Sequence, residues 1–195
     1  MALRICVAGV TGWTGGAVAE AVDAADDLEL VAGVSRSDPV SFSSVEEALD
    51  AAAADVLVDY THASAVKRHV LAALDRRVGV VVGSSGLSAA DYAEIDDLAR
   101  QQGVGVIGAG NFSLSAALLL RFAEEAARRL PSWELIDYSS LGKPDAPSGT
   151  SREVAERLAS VRSPEIAVPV DETLGAREAR GATVGTTRAR HRRRM

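Results

Sequence analysis

Gly9-Val-Thr-Gly12-Trp-Thr-Gly15 decides the fold. It lies between an apolar, β-branched run at 4–8 and a helical pattern at 14–24, in which Ala17, Val18, Ala21 and Val22 share one face. A strand, a glycine turn and a helix in that order open a βαβ unit. Working outward, the alternation repeats. Runs at 28–34, 56–59, 79–82 and 104–107 read as strands, and 65–74 as a helix. Ser44-Val-Glu-Glu47 reads as a capping box opening a short helix. Ser88 caps another helix that runs to about residue 102, where Gly103 stops it. Near-continuous apolar strands separated by helices predict an α/β fold, a doubly wound parallel sheet with helices on both faces.

After Asn111 the texture changes. A helix over 114–130 ends before Pro131, a strand follows at 134–139, then a loop at 141–150 and a helix over 151–158. Beyond that the periodicity is weak. The expected domains are 1–111 and 112–195.

Composition narrows the function classes. The 195 residues are 47% hydrophobic and 25% charged, with mean hydropathy +0.08, which excludes a disordered polyelectrolyte. The longest apolar runs, such as 78–82 and 116–120, are too short to span a bilayer, and the first residues lack a signal-peptide pattern. A cytoplasmic protein with no membrane partner is expected. The single cysteine, Cys6, excludes an intramolecular disulfide and a multi-cysteine zinc site, and no metal site is expected. The net charge is −6, although residues 188–195 hold five arginines and no acid. The body of the chain is therefore more acidic than the total suggests, which argues against a nucleic-acid partner.

Gly9, Gly12 and Gly15 permit a tight turn and let backbone amides of the next helix approach a pyrophosphate. The plain alternative is a close-packed turn without a ligand. The second strand ends Val34-Ser35-Arg36-Ser37. No carboxylate stands where one would hold the adenosine ribose, and the arginine suits a 2′-phosphate. NADPH is preferred on that ground, with NADH and an exposed loop arginine as the alternatives. Asp59-Tyr60-Thr61, Gly83-Ser84-Ser85-Gly86 and Gly108-Ala-Gly-Asn111-Phe112-Ser113 would line the same sheet edge.

The stretch Lys-Pro-Asp-Ala-Pro-Ser-Gly-Thr (143–150) is the most specific signal. Lys143 supplies a point charge. Ser148, Gly149 and Thr150 open a helix whose N-terminus suits a carboxylate or phosphate. A proline-rich turn with a solvated lysine is the plain alternative.

Taken together, the glycine turn, Asp59-Tyr60-Thr61, Gly83-Ser-Ser-Gly86, Gly110-Asn111-Phe112-Ser113 and residues 143–150 make the chain resemble the dihydrodipicolinate (4-hydroxy-tetrahydrodipicolinate) reductase family over about residues 3–185. The resemblance implies a Rossmann-like domain followed by an α+β substrate and oligomerisation domain. It implies NAD(P)H-dependent reduction of a cyclic dicarboxylate in the diaminopimelate and lysine pathway, by a homotetramer. Carried over residue by residue, Gly9, Gly12 and Gly15 would hold the pyrophosphate and Arg36 would sit near the adenosine phosphate, with Trp13, Thr14 and Ser35 also in the coenzyme site. Tyr60, Thr61, Gly83, Gly110 and Phe112 would surround the nicotinamide. Ser85, Lys143, Ser148, Gly149 and Thr150 would grip the substrate carboxylates, with Lys143 the cation that stabilises charge developing on the ring nitrogen.

The chain departs from the family in three places. The family has a His-His pair just before the lysine, one member of which donates the proton; here Ser139-Ser140 stand there. Ser139 cannot take that role with histidine's near-neutral pKa. Tyr138, a water or Lys143 are the candidate donors. His69 is read as an exposed helix residue. Trp13 either stacks on the coenzyme or covers the helix start. Residues 188–194 lack the apolar alternation of a strand, and the second domain is expected to be shortened, by truncation or frameshift, or to end in a natural basic tail. Two other functions follow from these departures: a reductase of another small acid in secondary metabolism, or a catalytically impaired nucleotide-binding remnant.

Overall fold

The computed structural model describes residues 2–139, 148–162 and 190–193, with 138–139 and 190–193 described by their backbone alone. The chain divides into two compact units, Met1–Ala109 and Gly110–Met195.

In the first unit the elements alternate: β1 (Leu3–Ala8), α1 (Trp13–Asp23), β2 (Leu28–Val34), α2 (Val45–Ala51), β3 (Val56–Asp59), α3 (Val66–Asp75), β4 (Gly79–Val82), α4 (Ala89–Gln102) and β5 (Val106–Gly108). The strands are all parallel, in the order β2-β1-β3-β4-β5. This is the expected Rossmann-like α/β sheet. Its core lies on two faces. Ile5 and Val7 pack with Val22 of α1 on one. Cys6, Ala8, Leu57, Val80 and Val82 pack with α2, α3 and α4 on the other. The β1–β2 register shifts between Ile5 and Cys6, so that Ile5 faces Leu30 while Cys6 faces Ala32. Val31 is the extra residue of a bulge.

Side chains fix the element ends. The Arg4 guanidinium grips Asp55 through Nη2–Oδ1 (2.7 Å) and Nε–Oδ2 (3.1 Å), tying the start of β1 to that of β3. Ser88 and Asp91 form a complete capping box for α4, and Gly103 ends that helix at φ +70°. Gly103 also delays the next strand. Val104 N still donates to Ala99 O, so β5 starts at 106 rather than 104. At α2 the box is half made: Ser44 accepts from Glu47 N, but the Glu47 carboxylate takes its hydrogen bonds from Ser43.

His69 is not exposed. It lies on the inner face of α3 with Val66, Val70 and Ala73 and is buried. Cys6 is also buried, and its thiol is pushed up to about 12, first by burial and then by the Asp59 charge. It therefore stays protonated and unreactive.

The second unit holds α5 (Leu114–Arg129), β6 (Ile136–Ser139), α6 (Gly149–Val161) and β7 (Arg190–Arg193). The expected starts of β6 at 134 and α6 at 151 are corrected. Ser148 is the N-cap of α6, its hydroxyl accepting from Ser151 N, so the helix opens two residues early. The basic end was read as unable to form a strand, yet Arg190–Arg193 pairs parallel to Ile136–Ser139. A ladder is built by backbone groups, and four arginine-rich residues supply those as well as apolar ones do.

The carboxylates predict the acid response. Hydrogen bonds from Arg4 draw Asp55 down to about 2. The Lys67 ammonium, aided by Ser88, holds Asp91 well below the ordinary range. Groups with depressed folded pKa values contribute stability above their unfolded value, near 4, and lose it as the pH falls through the folded one. The urea midpoint is expected to be flat from neutral pH to about 4 and to fall steeply between about 4 and 2.

Candidate functional site

The chain reverses its winding between β1 and β3, and the crevice beyond their carboxyl ends is where such sheets bind ligands. Gly9 sits there at φ +85°. A methyl built on it would stand 2.3 Å from Tyr60 O, and one built on Gly15 would stand 2.0 Å from Gly9 O. Three backbone passes thus meet with no room for one side-chain carbon. Gly12 is the N-cap of α1, with no side-chain cap and no acid in the first turn. The helix start is left open to an anion. Thr14 is exposed beside it. Trp13 is 97% exposed, so its indole covers nothing among the described residues.

At the end of β2, three hydroxyls cluster. Ser35 Oγ lies 2.7 Å from Thr11 Oγ1 and 3.1 Å from Ser37 Oγ. Arg36 is exposed. The nearest acid along the chain, Asp38, is occupied, accepting from Ser41 Oγ at 2.6 Å and Val40 N at 3.1 Å.

The ends of β3 and β4 are locked by a fully buried carboxylate. Asp59 Oδ2 accepts from His69 Nδ1 at 2.7 Å. Oδ1 accepts from Ser84 Oγ at 2.6 Å, Thr61 Oγ1 at 2.9 Å and Thr61 N at 3.1 Å. Burial pushes this carboxyl up, but the bonds from His69, Ser84 and Thr61 outweigh it and leave the pKa lowered. Above the lock, the Tyr60 ring covers Gly83, where a methyl would stand 2.2 Å from the ring carbons. Ser85 is exposed in the same turn.

In the second unit the Gly110 turn is tied to the start of α6. Gly110 N donates to Glu153 Oε2 at 2.7 Å, and Thr150 Oγ1 donates to Gly110 O at 2.8 Å. Asn111 Nδ2 adds a longer bond to Thr150 Oγ1, and Phe112 is exposed. Ser148 N donates to Asp137 Oδ2 at 2.7 Å, so that amide is taken. Among the described residues, the amides of Gly149 and Thr150 have no partner and remain for an anion. Ser139 is described by its backbone alone, as the last residue of β6; Lys143 and Ser140 lie outside the described residues.

Residues 3–112 match the family described as "Dihydrodipicolinate reductase, N-terminus". The chain belongs to the dihydrodipicolinate reductase family. The 4-hydroxy-tetrahydrodipicolinate reductase of Halalkalibacterium halodurans is 35% identical over 195 residues, spanning 92% of this chain and 74% of that protein. That of Mycobacterium sp. (strain KMS) is 36% identical over 183 residues, spanning 93% and 72%. Among solved structures, a dipicolinate-bound dihydrodipicolinate reductase from Paenisporosarcina sp. TG-14 superposes with TM-score 0.74 at 27% identity, covering 99% of this chain and 79% of that one.

Sequence reading of this family member put Ser84 on the ligand edge without a role, passed over Thr11, Ser37 and Glu153 as site-forming side chains, and placed His69 outside. Only His69 carried a local signal: it falls at helical spacing with Val66, Val70 and Ala73, on the inner face. The two glycine positions predict different penalties. Gly9→Ala meets backbone at positive φ and is expected to cost at least about 2 kcal/mol of unfolding free energy. Gly83→Ala meets the Tyr60 side-chain ring first, without a positive φ, and is expected to cost less than half of that; urea denaturation of both variants checks the order.

Proposed function

We propose that this chain reduces 4-hydroxy-tetrahydrodipicolinate to tetrahydrodipicolinate with NADPH, in the diaminopimelate and lysine pathway. One observation carries the reading: in a member of this family, Gly9, Gly15 and Tyr60 O meet without space for a methyl beside an uncapped helix start. That cradle fits a pyrophosphate, with the first-turn amides of α1 as donors. Trp13, wholly exposed there, is free to lie against the coenzyme.

The choice of NADPH is supported by the end of β2. Ser35 replaces a ribose-binding acid, three hydroxyls cluster, and Arg36 makes no ion pair among the described residues. Hydroxyl donors and a guanidinium suit a phosphate dianion. Tyr60 and Thr61, with Gly83, are the residues we assign to the nicotinamide, together with Gly110 and Phe112.

The bound nicotinamide supplies a hydride. The chain's part is to hold the acceptor and balance its charge. The dipicolinate in the Paenisporosarcina enzyme is a ring with two carboxylates. For such an acid we assign the amides of Gly149 and Thr150, with Ser85, Ser148 and Lys143. The Lys143 ammonium neutralises charge developing on the ring nitrogen, which lowers the barrier. Water leaves the ring, and a proton must reach it. Ser139-Ser140, in place of the family's histidines, favour a second reading: a reductase whose family chemistry is weakened or turned to a related acid.

Assembly as a homotetramer, implied by family resemblance, is supported by α5. It packs on α6, and Ala116, Leu120, Ala123 and Ala127 form its more buried stripe, while the apolar Leu118, Leu119 and Phe122 off that stripe stay exposed. A helix apolar on both sides is one that is covered on both sides.

Loss of reduced-nicotinamide absorbance with freshly prepared substrate tests the reading. The wild type is expected to turn over, Lys143→Ala to lose roughly a hundredfold or more in kcat, and Arg36→Ala to raise KM for NADPH roughly tenfold but not for NADH. Absence of turnover in every variant would remove it, and a sharp rise on Ser139→His alone would establish the second reading. By light scattering, Leu119→Asp is expected to lower the molecular mass in solution; an unchanged mass counts against the α5 interface.

A further inference from the structure

Asp59 is a buried carboxylate that the reaction above does not use. It holds nothing of the ligand itself, but it holds the two turns assigned to the nicotinamide. We propose that His69, acting through Asp59, is a positioning residue for the nicotinamide end of the coenzyme seat; the proposal rests on the coenzyme reading just given.

The connection is short. His69 comes from α3, behind the sheet edge, and its ring nitrogen is 2.7 Å from Asp59 Oδ2. An ionised carboxylate only accepts, so Nδ1 carries the proton. The other carboxylate oxygen takes both the hydroxyl and the amide of Thr61, and the hydroxyl of Ser84. Ser84 Oγ accepts in turn from Thr61 N at 2.7 Å. Thr61 is thereby fixed in backbone and side chain, and the β4 turn is fixed to it.

Tyr60 lies between the two clamped residues. Its amide donates to Ala8 O at 2.9 Å. Its carbonyl presses on Gly9 and its ring on Gly83. Removing the His69 donor leaves Asp59 Oδ2, one oxygen of a buried charge, with only the longer bond from Thr61 Oγ1 (3.2 Å), and the carboxylate must turn towards another donor. Thr61 and Tyr60 move with it. The hydroxyl cluster of Thr11, Ser35 and Ser37 shares no hydrogen bond with this network among the described residues, so the adenosine end is spared.

The experiment titrates the full chain with NADPH and with 2′-phospho-ADP-ribose, which lacks the nicotinamide, by calorimetry well below the melting temperature. His69→Leu is expected to weaken NADPH roughly tenfold while changing the fragment less than about twofold, since a displacement near 1 Å suffices for such losses. His69→Asn keeps an N–H donor and is expected to recover most of the affinity. Ser84→Ala removes another of the carboxylate's donors and is expected to show the same split, which serves if His69→Leu does not fold. Equal weakening of both ligands, or no weakening of either, overturns the positioning role. A wild type that binds neither ligand overturns the coenzyme reading, and this proposal with it.

Discussion

The approach of Gly9 to the Tyr60 carbonyl, and of Gly15 to the Gly9 carbonyl, is the constraint on which the rest turns. Backbone approach at that range is possible only where the approaching residue, Gly9 or Gly15, carries no side chain. It brings the first turn of α1 down onto the crevice between β1 and β3. It also explains why the strand ends must be held from behind. A turn packed this closely leaves no slack to absorb movement of Tyr60, and the buried Asp59 carboxylate with its four donors supplies the stiffness. Burying a charge costs several kcal/mol unless every lone pair is met. Here His69, Ser84 and Thr61 meet them.

The unit that carries Gly110 uses a different device. Its turn and the start of α6 are joined by polar side chains, Glu153 to the Gly110 amide and Thr150 to the Gly110 carbonyl. These bonds are solvent-exposed, and net contributions of that kind are near 1 kcal/mol each. The two residue groups assigned to nicotinamide and substrate carboxylate in this unit are therefore linked more loosely than the strand ends of the first unit.

Much of the architecture was legible because buried parallel strands write themselves as apolar runs. Residues 28–34, 56–59 and 79–82 were read to the residue, and Gly103 and Ser88 marked the ends of α4. The misreadings share one cause: a polar residue was judged by its type and not by its neighbour in space. His69 looked like a surface residue because its partner stands on another element, ten positions back. Glu47 fitted a capping box by spacing but found Ser43 instead. The hydroxyl cluster joins Thr11 to Ser35, 24 positions apart, and no spacing rule reaches that far. The arginine-rich strand was dismissed because side chains were weighed where backbone pairing decides.

The shift between Ile5 and Cys6 acts as a phase change along β2. Before it, Leu28 and Leu30 point with Ile5 towards α1; after it, Ala32 and Val34 point with Cys6 and Ala8 to the opposite face. Side chains alternate with a period of two, so one supernumerary residue inverts everything downstream. Val31 is that residue, and its presence determines that Ser35, and not Arg36, turns inward to meet Thr11. The arginine is thereby set on the solvent side of the rim.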